Sequence, residues 1–312
     1  MNRTSGHNRS DASMKNARTT AILKSSILWI GLSLCGFAIW KHRWLAATAL
    51  NQASLAAWGG IAMLMLTCWL LSVASWREYL RAYTGTRPSI SLAIRQTGLL
   101  LIGKYIPGGI FGFLARFYDG TITPSSRLLW AGIIEQTAGI GMTLLLGILL
   151  YLCTTQKQLW LLFLTPTLPL IVTLSARCIH SISIPFRRLN AGSPSRNKPH
   201  WPSLTKASVI QLSQLLAWTL LTGLVSAQLP QLTLHEQMGL SGAFLISVSV
   251  GMLAFFVPGG IGVREATFIA LAAPWASSNQ AILLAAEMRI ITTMIDATAG
   301  AASLATRSTE SQ

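Results

Sequence analysis

The chain has 312 residues, 52% of them hydrophobic and only 11% charged, and its mean hydropathy is positive. A composition so poor in charge excludes an ordinary soluble domain and predicts an all-α, multi-pass integral membrane protein. The formal charge of +15, from 24 Lys and Arg against 9 Asp and Glu, does not argue for nucleic acid as a partner. The basic residues fall in short connections between apolar runs, which is the positive-inside pattern.

In chain order, residues 1–20 are polar and basic, with Arg3, Arg9, Lys15 and Arg18 but no signal-peptide core, and read as a disordered cytoplasmic tail. Residues 21–305 read as a single transmembrane domain. Its first half, 21–180, is expected to carry spans at about 22–40 and 55–76, each near the ~20 residues needed to cross a bilayer. Trp40, Trp44 and Trp76 fit interfacial anchors. A basic connection with Arg77, Arg81 and Arg87 precedes an apolar stretch over about 92–117, and spans follow at about 128–152 and 159–179, the latter kinked by Pro166 and Pro169. A linker at 181–203, rich in Pro, Ser and Asn, divides the halves. The second half, 204–305, holds a span at about 204–229, an apolar stretch over about 238–273 and a last span at about 281–304, and residues 306–312 form a tail. The expectation is six spanning helices and two interrupted segments.

The interruptions share a phrase, Lys104-Tyr105-Ile106-Pro107-Gly108-Gly109-Ile110 in the first half and Phe255-Phe256-Val257-Pro258-Gly259-Gly260-Ile261 in the second. Proline removes a backbone donor and glycine removes side-chain cover, so each copy should break a helix at membrane depth. Such backbone is tolerated only inside protein or beside a cavity, and a matched pair in two halves points to a transport site. The alternative is that both turns merely end helices, but each is followed within ten residues by an arginine, Arg116 and Arg264. Parity adds a constraint. The basic connections at 77–95 and 181–206 should both be cytoplasmic, and three apolar segments between them require one that enters and leaves on the same face. The Pro107 segment fits a re-entrant hairpin from the cytoplasm and the Pro258 segment one from outside, which together make an inverted repeat. Both termini are then cytoplasmic.

Other charges lie inside expected spans: Glu135, and on the last span Glu287, Arg289 and Asp296. Arg289, Thr292, Thr293 and Asp296 share one helical face, and these groups are read as an intramembrane charge network, structural or functional. For Lys104 the plain alternative to a binding role is a lysine that snorkels to the cytoplasmic interface. The four cysteines and five histidines show no paired spacing, so no metal site, disulfide framework or cofactor is expected.

The stretch Val257-Pro258-Gly259-Gly260-Ile261-Gly262-Val263-Arg264-Glu265-Ala266 resembles the signature of the lysylphosphatidylglycerol synthase transmembrane family of flippase-like proteins. Gly103-Lys104-Tyr105-Ile106-Pro107-Gly108-Gly109, with Arg116 and Gly120 after it, resembles the first-half motif of one branch. Phe111 stands where that branch often has Trp, and Gln136 where a Glu-Arg pair is typical. The large family members add a soluble aminoacyl-transferase domain, for which a chain of this length has no room.

The resemblance implies a non-enzymatic protein of the cell (inner or plasma) membrane that moves an anionic phospholipid or a lipid-linked, polyprenyl-phosphate type precursor between leaflets. Its partners would be membrane lipids and, in an accessory role, envelope-biosynthesis enzymes such as glycosyltransferases. Lys104, Pro107, Gly108, Gly109, Arg116, Pro258, Gly259, Gly260, Gly262, Arg264 and Glu265 are the expected headgroup-binding positions. Backbone N–H groups and guanidinium groups suit a phosphate. A membrane-embedded lipid phosphatase also uses inverted re-entrant loops, but neither turn here is followed by an adjacent Ser or His to act on the phosphate.

Overall fold

The structure is a computed structural model that describes residues 55–106, 111–117, 126–176, 199–229, 231–254 and 257–308. The first expected span, Pro107 to Gly109 and most of the linker lie outside the described residues. Those described form helices α1 (Leu55–Thr84), α2 (Ile90–Gly103), α3 (Phe111–Phe117), α4 (Ser126–Thr155), α5 (Leu159–Ala176), α6 (Trp201–Ser226), α7 (Leu234–Leu253), α8 (Val263–Ala272) and α9 (Ser278–Ser308), with no strand among them. Five helices are long and apolar enough to cross a membrane: α1, α4, α5, α6 and α7. α2 is not. Its 14 residues would reach only about 21 Å at the usual rise.

Local chemistry sets the boundaries. Ser89 caps α2 through its hydroxyl on Leu92 N at 3.1 Å, just after Pro88. Thr233 and Glu236 form a reciprocal capping box on α7. Pro202 occupies the first turn of α6, where the missing N–H costs nothing. Residues Leu159–Thr167 of α5 wind as a tight 3-10 helix containing Pro166, in keeping with the irregularity expected of the proline-bearing segment.

The helix ends meet in two layers. His200 N donates to Ala82 O at 2.8 Å and Lys206 lies 3.3 Å from Glu78, so α1 ends where α6 begins. Ser303 donates to Arg95 O at 3.0 Å, so α9 ends beside the start of α2. Gln211 reaches Glu135 O at 3.4 Å from about three turns into α6, and Glu135 lies equally far into α4, so α4 starts at this end too. At the opposite end, His235 contacts Thr154 O at 2.9 Å, joining the start of α7 to the end of α4. Trp275, just past α8, packs on Tyr151 of α4 with ring centroids 4.9 Å apart and lies under Gly239 of α7.

Packing partners cross the chain. α1 packs on α6, α4 on α7 and α2 on α9, while α3 folds back on α2 and α8 on α7. Small residues permit the closest approaches: a Cβ on Gly147 would sit 2.9 Å from Ile246 N, and one on Gly242 2.7 Å from Tyr151 N. Gly98 of α2 lies on Ala299 and Ser303 of α9.

The distribution of polarity is that of a membrane protein. Phe163 is 83% exposed and Leu220 63%, whereas Arg116, Glu135, Arg289 and Asp296 are buried. Charge is inside and hydrocarbon outside, the arrangement a lipid solvent selects. Serine and threonine hydroxyls along the helices turn back onto carbonyls one turn earlier, as Thr143 does on Gly139 O at 2.6 Å. One expected anchor is displaced from its role: Trp76 is fully buried and donates from its indole to Gln96 at 2.9 Å. Trp40 and Trp44 lie outside the described residues.

This layering predicts an accessibility pattern. Single cysteines replacing Arg81, which is 40% exposed at one end, and Asn279, exposed at the other, should react with an impermeant maleimide from opposite sides of sealed vesicles. Labelling of both from one side would overturn the two-layer arrangement.

Candidate functional site between the interrupted segments

Each interrupted segment turns where its helix stops. After α2, Tyr105 N and Ile106 N donate to Ile102 O and Gly103 O at 3.1 and 3.2 Å. After α7, Val257 N and Gly260 N donate to Ala254 O and Val257 O at 2.8 and 3.0 Å. Gly259, Gly260 and Gly262 take φ of 57°, 65° and 86°, the left-handed region in which a side chain would be strained. Gly260 packs closely on backbone, since a Cβ there would lie 2.9 Å from Gly251 O.

The two turns meet. Gly259 N donates to Lys104 O at 2.8 Å, a backbone bond between the motif of one half and that of the other. Around it side chains close a ring. Arg289 of α9 donates to Gly259 O at 3.0 Å and lies 3.4 Å from Glu265. Glu265 also accepts from Gly262 N at 2.7 Å, holding the start of α8. Asp296, about two turns further along the same face of α9, accepts from the Tyr105 hydroxyl at 2.7 Å and from Lys104 at 2.9 Å. Pairing of this kind offsets the cost of burying charge among apolar spans.

Several expected sites change role. Lys104 does not snorkel to an interface: its ammonium is held by Asp296 and lines an interior cavity. Arg116 is buried, paired through both terminal nitrogens to Glu135, and stacked on Trp76 with its guanidinium carbon 3.4 Å from the ring centroid. A guanidinium so enclosed is not offered to a headgroup. Glu265 likewise serves the turn and Arg289. Of the expected charge network, Glu135 joins Arg116, while Arg289 and Asp296 grip the turns. Glu287 has no ion-pair partner among the described residues and stands apart from the network.

Arg264 differs from the rest. Its guanidinium lies over Phe244 at 4.6 Å, makes no ion pair among the described residues, and keeps a buried Nη2 without a hydrogen-bond partner. It lines a cavity of about 310 Å³ bounded also by Lys104, Gly259, Gly260, Glu135 and Asp296. Among a mostly apolar lining the cavity also meets Trp69 and Ser72 of α1, Gln136 of α4, and Gln211, Gln214 and Trp218 of α6. Tyr79 fixes Gln211 by a 2.8 Å hydrogen bond. Apart from Gln136, which departs from the motif of the family branch, none of these residues stood out in sequence. The only available signal was polar side chains recurring at helical spacing inside apolar spans, Gln211, Gln214 and Trp218 among them.

Comparison of the chain with protein-family models, curated proteins and solved structures finds no match.

Proposed function

We propose that the chain is a flippase-like transporter, a counterpart of the lysylphosphatidylglycerol synthase transmembrane family, that moves an anionic phospholipid or a polyprenyl-phosphate linked precursor between leaflets of the cell membrane. The observation that carries this reading is the hydrogen bond from Gly259 N to Lys104 O. It brings both interrupted segments to one charged cavity at the middle of the bundle, where a transporter binds its substrate.

Architecture supports the reading. α2 with α3 starts from the end shared by α1 and α6, whereas α7 with α8 starts from the opposite end. We read these as two re-entrant hairpins from opposite faces. α4 packing on α7 and α9 packing on α2 are equivalent pairs if the halves are related by an inverted repeat. A substrate held between such halves is exposed alternately to each side as one half rocks on the other. The basic ends at Arg81 and Lys206 orient the first layer, and with it the C-terminus, toward the cytoplasm.

In this mechanism Arg264 is the fixed countercharge for the phosphate, and Lys104 is a second cation released as the phosphate displaces Asp296. Liposomes containing the purified protein and fluorescent phosphatidylglycerol test it. Arg264→Ala should lower the initial flipping rate about tenfold, the scale of one hydrogen bond to a charged group, and Arg264→Lys should recover part of it. Lys206→Ala, at the end of the bundle, should move lipid at the parent rate. An Arg264→Ala protein that flips at full rate would remove the residue from the site.

A further inference from the structure

We infer that the headgroup admitted to the cavity is a phosphate ester bearing hydroxyls, a polyol or sugar, rather than an amine-bearing one. The inference rests on the transport reading above and names the substrate class for that site.

The cavity's acids are already committed. Asp296 holds Lys104 and Tyr105, and Glu135 holds Arg116. Arg264 and Trp69 line the cavity as well, and their buried nitrogens, Arg264 Nη2 and the indole N–H, have no partner among the described residues. Guanidinium and indole nitrogens can only donate, so a ligand that satisfies them must bring acceptor oxygens. An ammonium headgroup brings further donors and meets Arg264 and Lys104 as like charges.

The path away from Arg264 has the chemistry of carbohydrate recognition. Arg264 stacks on Phe244, whose ring lies 6.1 Å from that of Trp218. Trp218 stands one turn beyond Gln214 on α6, and both line the cavity. The side chains of Gln214 and Ser72 enter no hydrogen bond among the described residues, and each can both donate and accept, as a hydroxyl also can. An aromatic shelf flanked by amides and hydroxyls packs against the C–H face of a polyol and pairs its edge. The phosphate falls at Arg264 and the hydroxyls toward Gln214 and Ser72. The volume of about 310 Å³ is enough for a headgroup of ring size.

Isothermal titration of the protein in nanodiscs, with short-chain phosphatidylinositol, phosphatidic acid and phosphatidylethanolamine as probes, decides the matter. Phosphatidylinositol should bind about tenfold more tightly than phosphatidic acid, as one or two neutral hydrogen bonds allow, and phosphatidylethanolamine more weakly than either. Gln214→Leu should erase the difference between the first two while leaving phosphatidic acid unchanged, and Arg264→Ala should weaken both. Should Gln214→Leu not fold, Ser72→Ala carries the same test, with a smaller narrowing. Equal affinity of the parent protein for phosphatidylinositol and phosphatidic acid, or a preference for phosphatidylethanolamine, overturns the inference. Inositol 1-phosphate and inorganic phosphate separate the sources: inositol 1-phosphate binding as tightly as the lipid keeps the headgroup chemistry but sinks lipid transport. Movement of all three lipids at one rate keeps transport and sinks the selectivity.

Discussion

Arg116→Ala should leave little folded protein. Its guanidinium is buried, held by Glu135 and laid on Trp76. Truncation leaves the buried Glu135 carboxylate without its cation. Breaking one side of a buried pair costs about 3–5 kcal/mol, a large part of the stability of most domains. Arg116→Lys should rescue poorly, because an ammonium can neither stack flat on the indole nor reach both carboxylate oxygens. Arg116→Leu combined with Glu135→Leu should recover much of the loss, since replacing both partners by packed hydrocarbon leaves no charge stranded. Thermal unfolding in detergent, with yield of monodisperse protein, measures all three. An Arg116→Ala protein as stable as the parent would mean that the pair is not formed in the membrane.

How far the sequence discloses this arrangement depends on what each residue does. The spans are legible because lipid selects long apolar runs whatever their neighbours, and α4 and α6 lie within a few residues of expectation. The two helix breaks are legible because proline and glycine act locally. The partners of the buried charges are not, because pairing is set by how helices far apart in the chain pack. Arg116 and Arg264 look alike beside their motifs, yet one is closed off by Glu135 and Trp76 and the other opens on a cavity. Trp76 shows the same limit. Its position at the end of an apolar run suggests an interfacial anchor, and only the packing of α2 and Arg116 against it makes it interior. Tyr105, inside the repeated phrase, gave no hint that its hydroxyl would reach Asp296 across the bundle.

The glycines of the second turn make a demand of a different kind, and Gly260→Leu tests it. Gly260 sits at φ 65°, where an L-residue costs about 1–2 kcal/mol, and its missing Cβ faces the Gly251 backbone, which cannot swing aside as a side chain would. Overpacking there adds about 1–3 kcal/mol. Gly260→Ala already carries the first cost and meets the same backbone, so it should lower the unfolding temperature, and Gly260→Leu should lower it further. Gly59, on the exposed side of α1 with nothing within 4 Å of a Cβ, should accept leucine almost without effect. The consequence for function follows from the bond one residue away. If Gly260 shifts to relieve the clash, Gly259 N loses Lys104 O, and the two turns no longer share a site. Flipping per folded molecule should therefore fall in Gly260→Ala even where unfolding remains cooperative. An Arg264→Ala protein should lose the same transport with its unfolding temperature nearly unchanged. A Gly260→Ala protein with lowered stability and the parent flipping rate would make this turn a matter of architecture alone, and the transported headgroup would have to be sought elsewhere in the bundle.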